Sequence, residues 1–405
     1  MSILKTYIER PEYIERLSPF MGKPVIKVLV GQRRVGKSYL LYQLMDTLRK
    51  TGIPENRIIY INKELHEFDE IRDDHDLLKY IDSRSSRTKD LRYVFIDEVQ
   101  DITDFEKALK SLLAAGGTDI YCTGSNARML SGELATDLAG RYVETVVHAL
   151  SYKEFLRFHK LDASTKSLET YIRLGGLPFL IHLPLEEATV YDYLRSIYGA
   201  ILFNDVIRRH SIRNPAFLER LVLFLADNTG SMVSAKKISD FLKSQRMKIS
   251  PNLVLDYLGY LTQSYFVHQV RRSDLSGKKI FEIGEKYYFE DLGLRHALVG
   301  FRQVDIQKAI ENLVFMHMRI AGFDVTVGKL NGGEVDFICR RRDEKIYIQT
   351  AYLLADQKTR DREFGRLQGI KDHYPKFVVS MDPLAGGDVQ GIRHISLIEF
   401  LQKSW

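Results

Sequence analysis

Residues 25–50 constrain this chain more than any other stretch. A short β-branched apolar run, Val25 to Val30 (VIKVLV), passes directly into the loop GQRRVGKS and then into the helical pattern YLLYQLMDTLRK. A strand that turns straight into a helix commits the chain to an α/β unit, because the helix must pack back over a sheet. Gly31 and Gly36 free the intervening backbone to wrap an anion, and the helix that follows points its N-terminal amides at the same place. In this spacing Lys37 is set to reach the β and γ phosphates of a nucleotide, and Ser38 to offer its hydroxyl to Mg2+. The candidate ATP-binding set is Gly31, Gln32, Arg33, Arg34, Val35, Gly36, Lys37, Ser38 and Tyr39.

A second apolar run, Leu91 to Ile96 (LRYVFI), ends in Asp97-Glu98-Val99-Gln100. Two acids at the end of a strand in such a sheet have different tasks. Asp97 would hold the magnesium through its water shell, and Glu98 would orient and deprotonate the water that attacks the γ phosphate. Further strands are expected at Arg57 to Ile61 and at Ile120 to Thr123. An additional strand between the phosphate loop and the acid, with a glutamate beside that acid, is the arrangement of the additional-strand, catalytic-glutamate ATPases. Gly124, Ser125 and Asn126 follow the last of these strands, at the strand end where open parallel sheets place their ligands. Asn126, with Ser125 as fallback, is the candidate polar sensor of the γ phosphate or the attacking water, although Gly-Ser-Asn is also ordinary turn chemistry. In LAGRYVETVVHALSYKEF a helix is expected to end at Gly140, with Arg141 before a β-rich run. Arg141 is either a finger that neutralises transition-state charge, usually from a neighbouring subunit, or a surface residue paired with a nearby acid.

At 405 residues the chain exceeds what one hydrophobic core usually supports, so two or three domains are expected. Its 45% apolar and 28% charged residues suit a soluble globular protein, and no apolar run approaches a membrane span. The N-terminus, MSILKTYIERPEYIERL, mixes charge and apolar residues too densely for a signal peptide, which points to the cytoplasm. Cys122 and Cys339 each stand in an apolar strand-like run, as buried thiols of a reducing compartment do. A net charge of +6 is compatible with a nucleic-acid partner.

The chain resembles the prokaryotic AAA-like ATPases that carry a C-terminal domain of unknown function. The motifs that carry the resemblance are GQRRVGKS, FIDEVQ, TGSNARML, LAGRYVE, SYKEFL, LGGLPF and NGGEVDFI, in this order along nearly the whole chain. By resemblance, Lys37, Ser38, Asp97, Glu98, Asn126 and Arg141 occupy the family's phosphate, magnesium, water, sensor and finger positions.

Gly175 to Phe179 (GGLPF) is expected to turn the chain into a helical lid, and Tyr191 to Ile212 to form an amphipathic helix ending near Asp205, Arg208 and Arg209. One of these arginines is a candidate second sensor, against the ordinary preference for basic residues at a helix C-terminus. From Asn214 to Arg271, three helical patterns and a β-like run suggest a winged helix, with Lys236, Lys237, Lys243, Arg246 and Lys248 placed where such modules meet the DNA backbone. From Glu311 on, the pattern resembles the restriction-endonuclease-like fold. In active nucleases of that fold an acid on one strand and an acid-x-lysine on the next bind metal and activate water. Asp336, with Glu311 and Glu334 nearby in the pattern, is the candidate first acid, but Gln349-Thr350-Ala351 stands where the second acid and the lysine belong. That departure argues against cleavage.

The expected architecture is therefore α/β, with a P-loop AAA-like core over residues 1–150, a helical lid or linker over 151–210, a winged helix over 211–300 and an inactive nuclease-like domain over 301–405. The leading function is Mg2+-dependent ATP hydrolysis coupled to binding or remodelling DNA. The alternative is a slow ATP-gated switch or scaffold that signals through protein contacts, and a metal-dependent nuclease ranks third. A homo-oligomer follows if Arg141 acts between copies.

Overall fold

The computed structural model describes residues 7–84, 90–127, 138, 140–274, 284–330, 333–354, 356–382 and 385–405. The chain separates into two compact units. One closes at His148 and takes in Gln263–Tyr265, and the other holds Ala149–Thr262 and Phe266–Trp405.

The first unit is built on five strands: β1 (Ile26–Val30), β2 (Ile58–Asn62), β3 (Arg92–Asp97), β4 (Thr118–Gly124) and β5 (Tyr142–Val146). They are all parallel and lie in the order β2-β3-β4-β1-β5. Every residue of β1 is buried, as expected of a central strand covered on both faces. Lys27 breaks its apolar run, and the structure resolves the conflict by pairing the ammonium with Asp119 of β4, with the ring of Tyr121 4.9 Å away. In chain order β2 intervenes between the phosphate loop and the acid pair, yet it lies at the sheet edge. The strand that separates β1 from β3 in space is β4.

Helix α1 (Pro11–Leu17) precedes the sheet, α2 (Lys37–Lys50) follows the phosphate loop, and α3 (Asp74–Arg84) and α4 (Phe105–Ala115) connect the strands. Leu77, Ile81, Phe105, Leu109 and Leu112 pack in one cluster with Val28, Val94 and Ile96. The segment expected to be a helix ending at Gly140 falls on residues 128–137 and 139, outside the described residues.

In the second unit, α5 (Tyr152–His159) and α6 (Thr165–Leu174) lead into the Gly-Gly turn. Gly175 has φ of 79°, and a Cβ on it would stand 2.3 Å from Oδ1 of Asp291, whose Oδ2 accepts the Gly176 N–H at 2.6 Å. Gly175 leaves room for that buried carboxylate, whereas a Cβ on Gly176 would stand 2.5 Å from the carbonyl oxygen of Leu150. The run from Tyr191 is not one regular helix: α7 (Glu187–Ala200) passes into a π-helical segment at Ile201–Arg208. The wider coil still brings apolar residues round at near-helical intervals, so the sequence pattern does not separate it from a regular helix. It leaves Phe203 61% exposed while Asp205 is buried.

Helices α8 (Pro215–Asp227), α9 (Ala235–Ser244) and α10 (Pro251–Gln263) precede an antiparallel hairpin of β6 (Val267–Asp274) and β7 (Glu285–Phe289). A single bridge ties Val233, between the first two helices, to Glu285. After α11 (Leu292–Val299) and α12 (Ile306–Ile320) come β8 (Asp324–Leu330), β9 (Gly333–Arg341) and β10 (Glu344–Ala351), an antiparallel meander. Helix α13 (Gln357–Gln368) returns the chain so that β11 (Lys376–Ser380) runs parallel to β10, and β12 (Asp388–Val389), β13 (Ile392–Ser396) and α14 (Leu397–Gln402) complete the unit. Because β6 pairs with β8, the hairpin and the C-terminal strands form one eight-stranded mixed sheet.

Candidate nucleotide site

The phosphate loop leaves the C-terminal end of β1, and its glycines are required by geometry. Gly31 has φ of 149°, and a Cβ there would lie 2.1 Å from the carbonyl oxygen of Val147. Gly36 takes φ of 97° as the residue that starts α2. Arg34, also left-handed at φ 71°, completes the reversal. The ammonium of Lys37 folds back over the loop and donates to the carbonyls of Gly31 and Gln32, both at 3.0 Å. Gln32 is fully buried, and both polar atoms of its amide lack a protein partner. Val35 is buried, Arg33 lies 3.6 Å from Glu64, and Tyr39 is 46% exposed with its ring edge-on to Tyr42. A loop with unmet hydrogen-bonding capacity, a buried cation and a helix N-terminus behind it suits a polyphosphate.

The acid pair stands at the C-terminal end of β3. Asp97 is 1% exposed, and burial raises its pKa above the ordinary carboxylate value, against hydrogen bonds from Thr123 and Ser38 that favour the anion. Thr123 Oγ1 donates to Asp97 Oδ1 at 2.5 Å, and the Tyr60 hydroxyl donates to Oδ2 at 3.3 Å. Ser38 and Asp97, the two predicted magnesium residues, are thus brought together. Glu98 adopts φ of 55°, a conformation that disfavours a non-glycine residue and that is kept only where the surroundings enforce it. Its N–H donates to Thr123 Oγ1 at 2.9 Å, its carboxylate accepts from the Gln100 amide, and Oε1 lies 4.0 Å from the Lys37 ammonium.

Ser125 and Asn126 are both buried and follow β4, whose Gly124 is level with Val30 at the root of the phosphate loop. Arg141 is placed differently. It is exposed, its carbonyl accepts from the N–H of Ile26 at 2.9 Å, and it precedes β5 at the opposite end of β1 from the loop. At about 3.3 Å per residue, some 16 Å of strand separates it from Gly31. Its own phosphate loop is out of its reach.

Several residues that sequence patterns did not single out organise the site. Thr123 bonds both acids at once, and Tyr60 and Gln100 bond one each. Arg10 is 3% exposed; its guanidinium donates to the carbonyl of Val35 at 3.0 Å and to that of His148 at 3.1 Å, and its N–H donates to Gln43 Oε1 at 2.9 Å. It ties the N-terminal segment to the phosphate loop. One arginine in a charged, irregular segment carries no pattern. Thr123 did lie in the expected strand, and its place beside Asp97 could be read only from the strand order.

In the second unit, Lys236, Lys237, Lys243, Arg246 and Lys248 are all exposed, on α9 and the turn after it. Arg208 and Arg209 lie at the end of the π-helical segment. Asp336 on β9 and Gln349 on β10 are neighbours, the Gln349 amide accepting the Asp336 N–H at 3.3 Å. A lysine is present in this cluster, but it comes from β7: Lys286 lies 2.9 Å from Glu311 and 2.5 Å from Glu334.

The strand order, the loop between β1 and α2 and the acid pair beside it define an AAA-like P-loop ATPase domain. A family model described as an AAA domain matches residues 23–156, and one described as a domain of unknown function (DUF8612) matches residues 165–305. A domain of unknown function therefore follows the AAA domain in the chain. The chain is 34% identical over 98% of its length to an uncharacterized protein of Haemophilus influenzae, 99% of which is covered. It is 30% identical over 86% of its length to an uncharacterized protein of Methanocaldococcus jannaschii, 79% of which is covered. The chain belongs to the family of these AAA-like proteins. Among solved structures, a Walker-type ATPase of Pyrococcus abyssi has a similar fold, with a TM-score of 0.50 at 18% identity, covering 72% of this chain and 96% of that one. Among the described residues, no helix is long and apolar enough to cross a membrane.

Proposed function

We propose that the protein binds ATP with magnesium and hydrolyses it, and that the reading is carried by one juxtaposition: the Lys37 ammonium lies between the phosphate loop and Glu98, beside the hydrogen-bonded pair of Ser38 and Asp97. Gly31 to Ser38 wrap the phosphates, and Tyr39 stands next to them on the first turn of α2. Ser38 and Asp97 hold the magnesium, which when bound neutralises charge on the β and γ phosphates. Glu98 takes the proton of the attacking water, and its fixed backbone and the Gln100 amide aim its carboxylate. Asn126 senses the γ phosphate or that water. Arg141, remote from its own loop, serves the site of a neighbouring copy in a homo-oligomer.

Hydrolysis is coupled to nucleic acid in this proposal. Three helices followed by a hairpin, with a bridge from Val233 to the hairpin, support the winged-helix reading. The five exposed cations on and after α9 supply a phosphate-facing surface. The C-terminal sheet then serves as a binding or structural domain with no cleavage chemistry, and the protein works in the cytoplasm. The test is ATP turnover by the purified chain, alone and with duplex, forked and single-stranded DNA. Turnover that DNA changes, together with salt-dependent binding, is expected. ATP hydrolysis indifferent to every DNA, without binding, would leave a nucleotide-gated switch that acts through protein partners.

A further inference from the structure

The carboxylates of the second unit converge on a lysine. Helix α12 contributes Glu311, β9 contributes Glu334 and Asp336, β10 contributes Thr350, and β7 contributes Lys286 and Tyr288. The Lys286 ammonium, 4% exposed as a residue, lies 2.9 Å from Glu311 Oε1 and 2.5 Å from Glu334 Oε1. The Tyr288 hydroxyl donates to Glu311 Oε1 at 2.5 Å. Oδ2 of Asp336 accepts from the Thr350 N–H at 2.8 Å and from its hydroxyl at 2.7 Å. Arg272 stands 4.0 Å from the other oxygen of Glu334.

Three acids gathered from a helix and a strand are hard oxygen ligands of the kind that take up Mg2+ or Mn2+. Here the acids already have partners. Lys286 and Arg272 face Glu311 and Glu334. Asp336 Oδ2 is taken up by the N–H and the hydroxyl of Thr350. Burial works against the Lys286 ammonium, but Glu311, Asp336 and Glu334 together outweigh burial and hold its pKa above the ordinary value. A lysine ammonium is a compact point charge with three donors, and two of its directions are spent on the acids that a metal would need. In a metal-dependent site of the nuclease type, the lysine follows the second acid on the same strand and stands beside the ion. Lys286 comes instead from β7 and sits among the acids themselves.

We propose that Lys286 is the resident cation of this cluster, an ammonium held where the carboxylates would otherwise bind a divalent metal ion, so that the native domain takes up no metal there. The inference is independent of the ATPase reading. On this proposal a lack of cutting would follow from occupancy as well as from the missing acid at Gln349.

The experiment uses the full chain without nucleotide, with Mn2+ as probe, followed by electron paramagnetic resonance and calorimetry. The Lys286→Met variant should gain one Mn2+ site that the wild type lacks, and adding Glu311→Gln should weaken it by about tenfold or more. Mn2+ should also raise the thermal midpoint of Lys286→Met and leave that of the wild type unmoved. A folded Lys286→Met chain that gains no site would overturn the proposal. If that variant does not fold, the wild type decides. With lysine side chains labelled with 15N, the Lys286 ammonium signal should stay sharp through a Mn2+ titration, whereas selective broadening would place a metal beside the lysine and refute the exclusion.

Discussion

Single residues at this site were legible where chemistry fixes both the residue and its spacing. Lys37, Ser38, Asp97 and Glu98 stood out because phosphate and magnesium need those groups at those intervals. Arg10 and Tyr60 did not, because their partners are backbone carbonyls and a carboxylate that only the fold brings near. Thr123→Val tests how much such support matters. It removes a donor to Asp97 and the acceptor of the Glu98 N–H. Losing a hydrogen bond to the anion raises the Asp97 pKa further, so the acid limb of the ATPase pH profile should move to higher pH, with kcat/KM falling about tenfold. An unmoved limb would show that Thr123 is only packing. Arg10→Ala leaves two carbonyls without a donor and should lower stability by about 2 kcal/mol in urea unfolding, with a raised KM for ATP. Asp336 gives a pH test of the second unit. Its pKa lies near 7 when folded, against a usual value of 3.8. The folded state therefore holds the extra proton between about pH 4 and 7, and this contribution to stability is lost as pH rises through that window. Asp336→Asn should be more stable than the wild type by about 1–3 kcal/mol at pH 8, with the gap closing toward pH 5. A gap independent of pH would contradict the assignment.

At the scale of elements, the strands of the first unit were legible because β-branched runs bounded by polar turns leave little choice. Their spatial order was not legible, since chain order puts β2 where β4 belongs. The π-helical segment at Ile201–Arg208 was also hidden, because a helix that widens by one residue per turn still presents apolar residues at near-helical intervals. The hairpin's pairing with β8 could not be foreseen either, as it joins residues far apart in the chain. Two glycines separate conformational need from habit. Gly31→Ala would drive a Cβ into the Val147 carbonyl, which is backbone and cannot swing aside, so the variant should lose ATP binding in equilibrium titration. Gly199 lies in α7 with nothing within 4 Å of an added Cβ. There, alanine should stabilise the protein by about 0.5–1 kcal/mol and leave turnover unchanged.

For the whole molecule, the location of Arg141 and the surface charge of α9 make separable claims. If a neighbouring copy supplies Arg141, turnover per chain should rise with protein concentration, and Arg141→Ala should abolish that rise. A rate that is independent of concentration and indifferent to the substitution would return Arg141 to the surface. If Lys236, Lys237, Lys243, Arg246 and Lys248 all meet phosphates, DNA affinity should fall with a slope of about −4.5 in log salt, and each Lys→Ala change should lessen that slope by about 1. The central claim is hydrolysis, and one comparison tests it most directly: equilibrium ATP binding and single-turnover hydrolysis by the wild type and by Glu98→Gln, with magnesium. The variant should hold ATP as the wild type does and cleave it at least about a hundredfold more slowly. Cleavage by Glu98→Gln at the wild-type rate, or a wild-type chain that binds ATP and never cleaves it, would contradict the account.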